Sequence, residues 1–93
     1  MGGTTAKRLR ITGMVQGVGY REAMRAKAYE LGLTGGVRNC LDGSVEAVIC
    51  GPPAAVQRMI AWAQHGPSMA RVDRVEINDT QGEFHRFERW PTG

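Results

Sequence analysis

Two segments of this chain each carry a single apolar stripe, and that pattern limits the fold more than any other feature. Between Arg21 and Leu31, the residues Tyr20, Met24, Ala28 and Leu31 recur at i, i+4, i+8 and i+11, which is one face of a helix. Between Ala54 and His65, the residues Val56, Met59, Ile60 and Ala63 recur at i, i+3, i+4 and i+7. A helix that is apolar on one side has to bury that side. The two are therefore expected together on one face of a sheet. Gly32 suits a left-handed cap after the first helix, and Gly66-Pro67 stops the second, with His65 facing its C-terminal dipole.

The remaining segments alternate as strands do. Leu9 and Ile11 interleave with Arg8, Arg10 and Thr12 over Lys7 to Val15. A hairpin runs from Gly35 to Cys50 and turns at Asp42-Gly43. A two-residue loop would put Arg38 opposite Ala47, whereas the three-residue loop Leu41-Asp42-Gly43 puts Arg38 opposite Glu46. The second register pairs opposite charges on one face and gathers Val37, Asn39, Val45, Ala47 and Ile49 on the other, so it is the expected one. Val72, Val75 and Ile77 mark a further strand, with a less regular one from Phe84 to Trp90 after a turn near Gln81-Gly82. The expected fold class is α+β: a ferredoxin-like βαββαβ sandwich, an antiparallel sheet with two helices on one face. Residues 1–6 read as a flexible lead-in and 7–91 as a single domain, since cores usually need roughly 50 to 200 residues each.

Composition excludes several functional classes. The apolar stretches are far short of the roughly 20 residues that span a bilayer, so no membrane association is expected. Met1 to Lys7 lacks the apolar core of a signal peptide, which points to the cytoplasm. The net charge of +3 tilts the partner toward an anion, but the basic residues are scattered, and no nucleic-acid partner is expected. Cys40 and Cys50 lack C-x-x-C spacing. They lie more than ~15 Å apart along the hairpin at about 3.4 Å per residue, too far for a disulfide. His65 and His85 have no partner at ligand or catalytic spacing.

The chemistry is concentrated in Val15-Gln16-Gly17-Val18-Gly19-Tyr20-Arg21. This segment joins a strand end to a helix start, where unpaired N–H groups and the helix dipole favour an anion. Glycines let such a loop curl until successive N–H groups converge, forming a nest. Arg21 at the helix start adds a planar fork suited to phosphate oxygens. The same glycines would equally suit a tight connection with no ligand. The G-x-x-x-x-G-K-[ST] pattern of a nucleotide-binding loop is absent. By position alone, Asn39 reads as a residue starting the hairpin turn.

Gly13-Met14-Val15-Gln16-Gly17-Val18-Gly19-Tyr20-Arg21 resembles the first signature of the acylphosphatase family, G-x-V-Q-G-V-x-[FY]-R, and Gly35-Gly36-Val37-Arg38-Asn39 resembles the second, G-[FYW]-V-x-N. The resemblance extends through Asp42-Gly43-Ser44-Val45-Glu46 and Ala70-Arg71-Val72-Asp73-Arg74-Val75, nearly the whole chain. It implies metal-free hydrolysis of the carboxyl–phosphate bond of acyl phosphates, with no cofactor. The backbone of Gln16, Gly17, Val18, Gly19 and Tyr20 would bind the phosphate and Arg21 would clamp it. Asn39 would orient the attacking water. The expected partner is a small acyl phosphate substrate, the expected state is a monomer, and inorganic phosphate or sulfate would fill the same site.

One position departs from the pattern. Gly36 stands where the family has an aromatic, which should weaken the strand unless another aromatic such as Trp90 compensates. The main rival is a non-catalytic acyl- or carbamoyl-phosphate-binding module, as in larger carbamoyl-transferring proteins. The absence of a further domain after residue 93 favours the free-standing enzyme.

Overall fold

The computed structural model describes residues 3–93. Its elements follow in the order β1 (Thr5–Met14), α1 (Tyr20–Leu31), β2 (Thr34–Asn39), β3 (Val45–Gly51), α2 (Pro53–Ala63), β4 (Arg71–Asp79) and β5 (Phe87–Arg89). The five strands form one sheet in the order β4-β1-β3-β2-β5. Leu9, Ile11, Val37, Val45, Ala47 and Ile49 project from the sheet into one buried cluster. Tyr20, Met24 and Ala28 of α1 and Val56, Met59 and Ala63 of α2 enter the same cluster, so both stripes close over one face. Each fully buried Leu, Ile, Val or Met contributes about 1.5–3 kcal/mol relative to exposure.

The hairpin takes the three-residue register. Val37 pairs with Ala47, Arg38 with Glu46 and Asn39 with Val45. The Arg38 guanidinium reaches Glu46 at 2.9 Å (Nε) and 2.8 Å (Nη2). Gly32 caps α1 in the left-handed region, φ 71° and ψ 29°. Cys40 and Cys50 are free thiols near opposite ends of the hairpin.

Four differences from the sequence reading matter most for the fold. First, β1 begins at Thr5 rather than Lys7, because Thr5 and Ala6 pair with Gly51 and Cys50. Met1 and Gly2, part of the expected lead-in, lie outside the described residues. Second, α1 begins one residue early, at Tyr20, whose side chain belongs to the core. Third, α2 ends at Ala63. His65 lies past it, in a tight turn where its N–H and that of Gly66 both bond to Trp62 O.

Fourth, β5 pairs parallel to β2, making the sheet mixed rather than wholly antiparallel. The chain leaves β4 at one edge, crosses the end of the sheet where Thr80 N–H reaches Ala6 O, and returns along the opposite edge in the direction of β2.

That return places Trp90 over Gly36. A Cβ built on Gly36 would lie 2.1 Å from the Trp90 ring, so the indole fills the space that a side chain at position 36 would take. Phe84 packs on Trp90 with ring centroids 6.0 Å apart. Trp90 N–H also bonds to Val37 O at 2.8 Å.

Trp90→Ala is expected to lower stability by about 2 kcal/mol, less than a fully buried aromatic because the ring is partly exposed. Gly36→Trp should gain nothing while Trp90 is present. The pair Gly36→Trp with Trp90→Ala should recover part of the loss. Urea unfolding of the four proteins measures this, and simple additivity would show that the two positions do not share one space.

Candidate active site

The segment between β1 and α1 is held at both ends and bent in the middle. Val15 and Tyr20 are buried, and the Tyr20 hydroxyl donates to Ala63 O at 2.9 Å. Burial pushes the Tyr20 phenol well above its ordinary pKa, so it stays a neutral donor. Between these anchors, Gly17 (φ 74°) and Gly19 (φ 81°) take left-handed conformations. A side chain at either would find open space, so conformation and not crowding requires glycine there. Alternating left-handed residues turn successive N–H groups toward one side.

Helix α1 has no side-chain N-cap, and its first backbone bond runs from Ala23 N–H to Gly19 O. From Gln16 through Glu22, no backbone N–H has a hydrogen-bond acceptor among the described residues. These donors, at the positive end of a helix, form a ready anion site.

The loop is tied to the hairpin by a side chain. Gln16 Nε2 donates to Cys40 O at 2.9 Å and to Ser44 O at 2.8 Å. Sequence reasoning assigned Gln16 only through its backbone and missed this role. The β2–β3 turn it grips is itself fixed: Cys40 N–H bonds to Ser44 O at 2.8 Å and Gly43 N–H to Cys40 O at 3.1 Å. Asp42 Oδ1 accepts from Ser44 Oγ at 2.6 Å and Ser44 N–H at 3.0 Å. These bonds from Ser44, with Arg10 beside the carboxylate, hold the Asp42 pKa down at about 2.

Two side chains at this end of the sheet lack partners. Arg21, in the first turn of α1, is half-buried and has no ion-pair or hydrogen-bond partner among the described residues. Asn39 ends β2 on the face of Val37, beneath the helices, and its Oδ1 is buried with no hydrogen bond. An unmatched buried acceptor costs about 1–3 kcal/mol, so this arrangement is a departure from what stability alone would select. Arg21 and Asn39 do not bond to each other; the Gln16 tie joins their two segments.

Arg21 also lines a cavity of about 420 Å³ with Arg89, Trp90, Pro91 and Thr92, none of which the sequence singled out as a site residue. A larger groove of about 730 Å³ lies farther along α1 and β5, lined by Tyr29, His85 and Phe87 among others, and includes neither Arg21 nor Asn39. Among the described residues, no three His, Cys, Asp or Glu side chains gather as metal ligands. No helix is long and apolar enough to cross a membrane.

The acylphosphatase family profile matches residues 7–89. An acylphosphatase of Thiobacillus denitrificans is 52% identical over 81 residues, covering 87% of this chain and 91% of that protein. The structure of an acylphosphatase from Coxiella burnetii superposes with a TM-score of 0.90 at 35% identity, covering 94% of this chain and 93% of that one. Full-length HypF also superposes with a TM-score of 0.90, but at 22% identity and over 12% of its length, a likeness of fold alone.

Gln16→Ala should lower stability by about 1–2 kcal/mol, because it removes two donors from part-buried carbonyls. A midpoint unchanged in urea would show that the tie carries no weight. Asp42 supplies a pH signature. Its folded pKa lies below its unfolded value, so its contribution is complete above the ordinary aspartate range near about 4 and is lost as pH falls toward about 2. Asp42→Asn should show a flatter stability profile across that window, measured by thermal unfolding at stepped pH.

Proposed function

Because this chain belongs to the acylphosphatase family and is accordingly an acyl-phosphate hydrolase, we propose that the Gln16–Tyr20 backbone and Arg21 hold the substrate phosphate while Asn39 holds the attacking water. The observation that carries this reading is the coincidence of unmatched groups. Free N–H donors and an unpaired guanidinium suit a phosphate dianion. The orphan Asn39 Oδ1 is an acceptor, which is what a water O–H needs. A water donating one proton to Oδ1 keeps a lone pair free for phosphorus.

In the proposed reaction the water oxygen forms a bond to phosphorus as the bond from phosphorus to the acyl oxygen breaks. The electron pair of that bond leaves with the carboxylate. The water's proton passes to a phosphate oxygen, and the products are carboxylate and inorganic phosphate. A carboxylate is a weak base with a pKa near about 4 and leaves without a general acid. The protein therefore supplies position and charge: the nest and Arg21 stabilise the equatorial oxygens, and Asn39 fixes the line of attack. No resident metal is required, the enzyme works as a monomer, and inorganic phosphate or sulfate competes for the loop.

The test is hydrolysis of benzoyl phosphate with EDTA present. Arg21→Gln should lose at least about 10²-fold in kcat/KM. Asn39→Ala should lose a similar factor mainly in kcat, since it binds the nucleophile and not the phosphate. Asn39→Ala should also be no less stable than wild type, because it removes a buried acceptor that has no partner. A folded wild type that binds phosphate without turnover would leave the binding-module reading in its place.

A further inference from the structure

We infer that Trp90 is a positioning residue for the reaction: it anchors the segment from Trp90 to Gly93, and that segment sets Asn39 where its carboxamide meets the attacking water. The inference rests on the reading of Asn39 as the residue that holds the water.

Asn39 ends β2, and β3 does not hold its backbone. In an antiparallel pair a residue exchanges either both backbone bonds with its partner or neither. The Asn39 carbonyl accepts from Gly93 N–H at 3.1 Å, on the side away from β3, so toward Val45 it makes no bond. The next residue does reach across, with Cys40 N–H on Ser44 O at 2.8 Å, as the alternation requires. Strand β5 gives no help either. Its ladder with β2 ends where Arg89 meets Val37, two residues short of Asn39. Among the described residues, the hold on Asn39 from that edge is the Gly93 N–H.

That donor is placed from a fixed point. Trp90 N–H bonds to Val37 O at 2.8 Å, which carries the ladder one bond past β5. The Trp90 ring fills the space over Gly36, and Phe84 packs against it. Only Pro91 and Thr92 then separate the anchor from Gly93, and the proline fixes one of the intervening backbone angles.

The tie through Gln16 acts on a different part of the site. Gln16 Nε2 donates to Cys40 O, and so sets the phosphate loop against the turn. The Gly93 bond sets Asn39 itself. Losing the latter leaves the loop intact and misplaces only the water. A displacement of about 1 Å at a reacting group can cost on the order of 10²-fold in rate. The loss therefore falls on kcat and spares KM. A ring carried at position 36 would cover β2 equally well, but it would bring no donor to Asn39. Moving the ring thus separates cover from positioning.

The experiment measures kcat and KM for benzoyl phosphate, with urea midpoints, in wild type, Gly93→Pro, Trp90→Ala, Trp90→Phe and the pair Gly36→Trp with Trp90→Ala. Gly93→Pro deletes the donor to Asn39 O. Its kcat should fall about tenfold, with KM within about twofold and the midpoint unmoved. Trp90→Ala should lose kcat by a similar factor, and Trp90→Phe should restore most of it. The pair should regain stability without regaining kcat; recovery of both together would reduce Trp90 to mere cover and overturn its role. In an Asn39→Ala background Gly93→Pro should change nothing further, and a second full loss there would refute the route through Asn39. An unchanged kcat in Gly93→Pro overturns the inference outright. Asn39→Ala alone is the separate control: full activity there would sink the water-holding reading itself, whatever the tail variants do.

Discussion

Among the described residues, the two hydrogen bonds from the Gln16 carboxamide to Cys40 O and Ser44 O are the ones that tie the β1–α1 loop to the β2–β3 turn. On one side is a loop whose glycines allow many conformations. On the other is a turn locked by Asp42 and Ser44 and preceded immediately by Asn39. A neutral amide suits this place because both its protons point at carbonyl oxygens; a carboxylate would face two acceptors. The anion-binding loop thus inherits the rigidity of the hairpin. Its distance from Asn39 is set by a side chain and not by the flexible backbone between them.

Such rigidity matters because the site is built from groups the fold leaves unmatched. The orphan Asn39 Oδ1 is buried and costs stability, and beside it stand the N–H groups from Gln16 to Glu22 and the Arg21 guanidinium, all without partners among the described residues. They persist because the core beneath them is closed: Leu9, Ile11, Met24, Ile49 and Met59 are fully buried. The loop's two ends are also fixed in that core by Val15 and Tyr20. Preorganised donors that need no rearrangement when the phosphate arrives are what electrostatic catalysis requires.

Much of this was legible in the sequence, where the signal was local. Both helix stripes, the Gly32 cap and the glycine loop follow from spacings of a few residues. The hairpin register was legible because only one choice paired Arg38 with Glu46. What was missed depends on contacts distant in sequence. Arg89 and Glu22 are 67 residues apart, and β5 has three residues, too few for a periodicity to show its partner or direction. The Gln16 side chain was overlooked for a different reason: its value depends on two carbonyls that converge only once the hairpin has turned.

Gly36 ties the site to the far edge of the sheet. In the pattern this chain resembles, an aromatic at that position would cover its own strand. Here the covering ring arrives from Trp90, whose indole occupies the space a Cβ on Gly36 would need. The exchange preserves aromatic cover while changing what is anchored. A ring on β2 would brace β2 alone. A ring borne by the segment after β5 also binds that segment to the edge of β2, where Trp90 N–H meets Val37 O and Gly93 N–H meets Asn39 O. The short parallel strand gains a reason to stay, and Arg89, its last residue, is held facing Arg21's cavity.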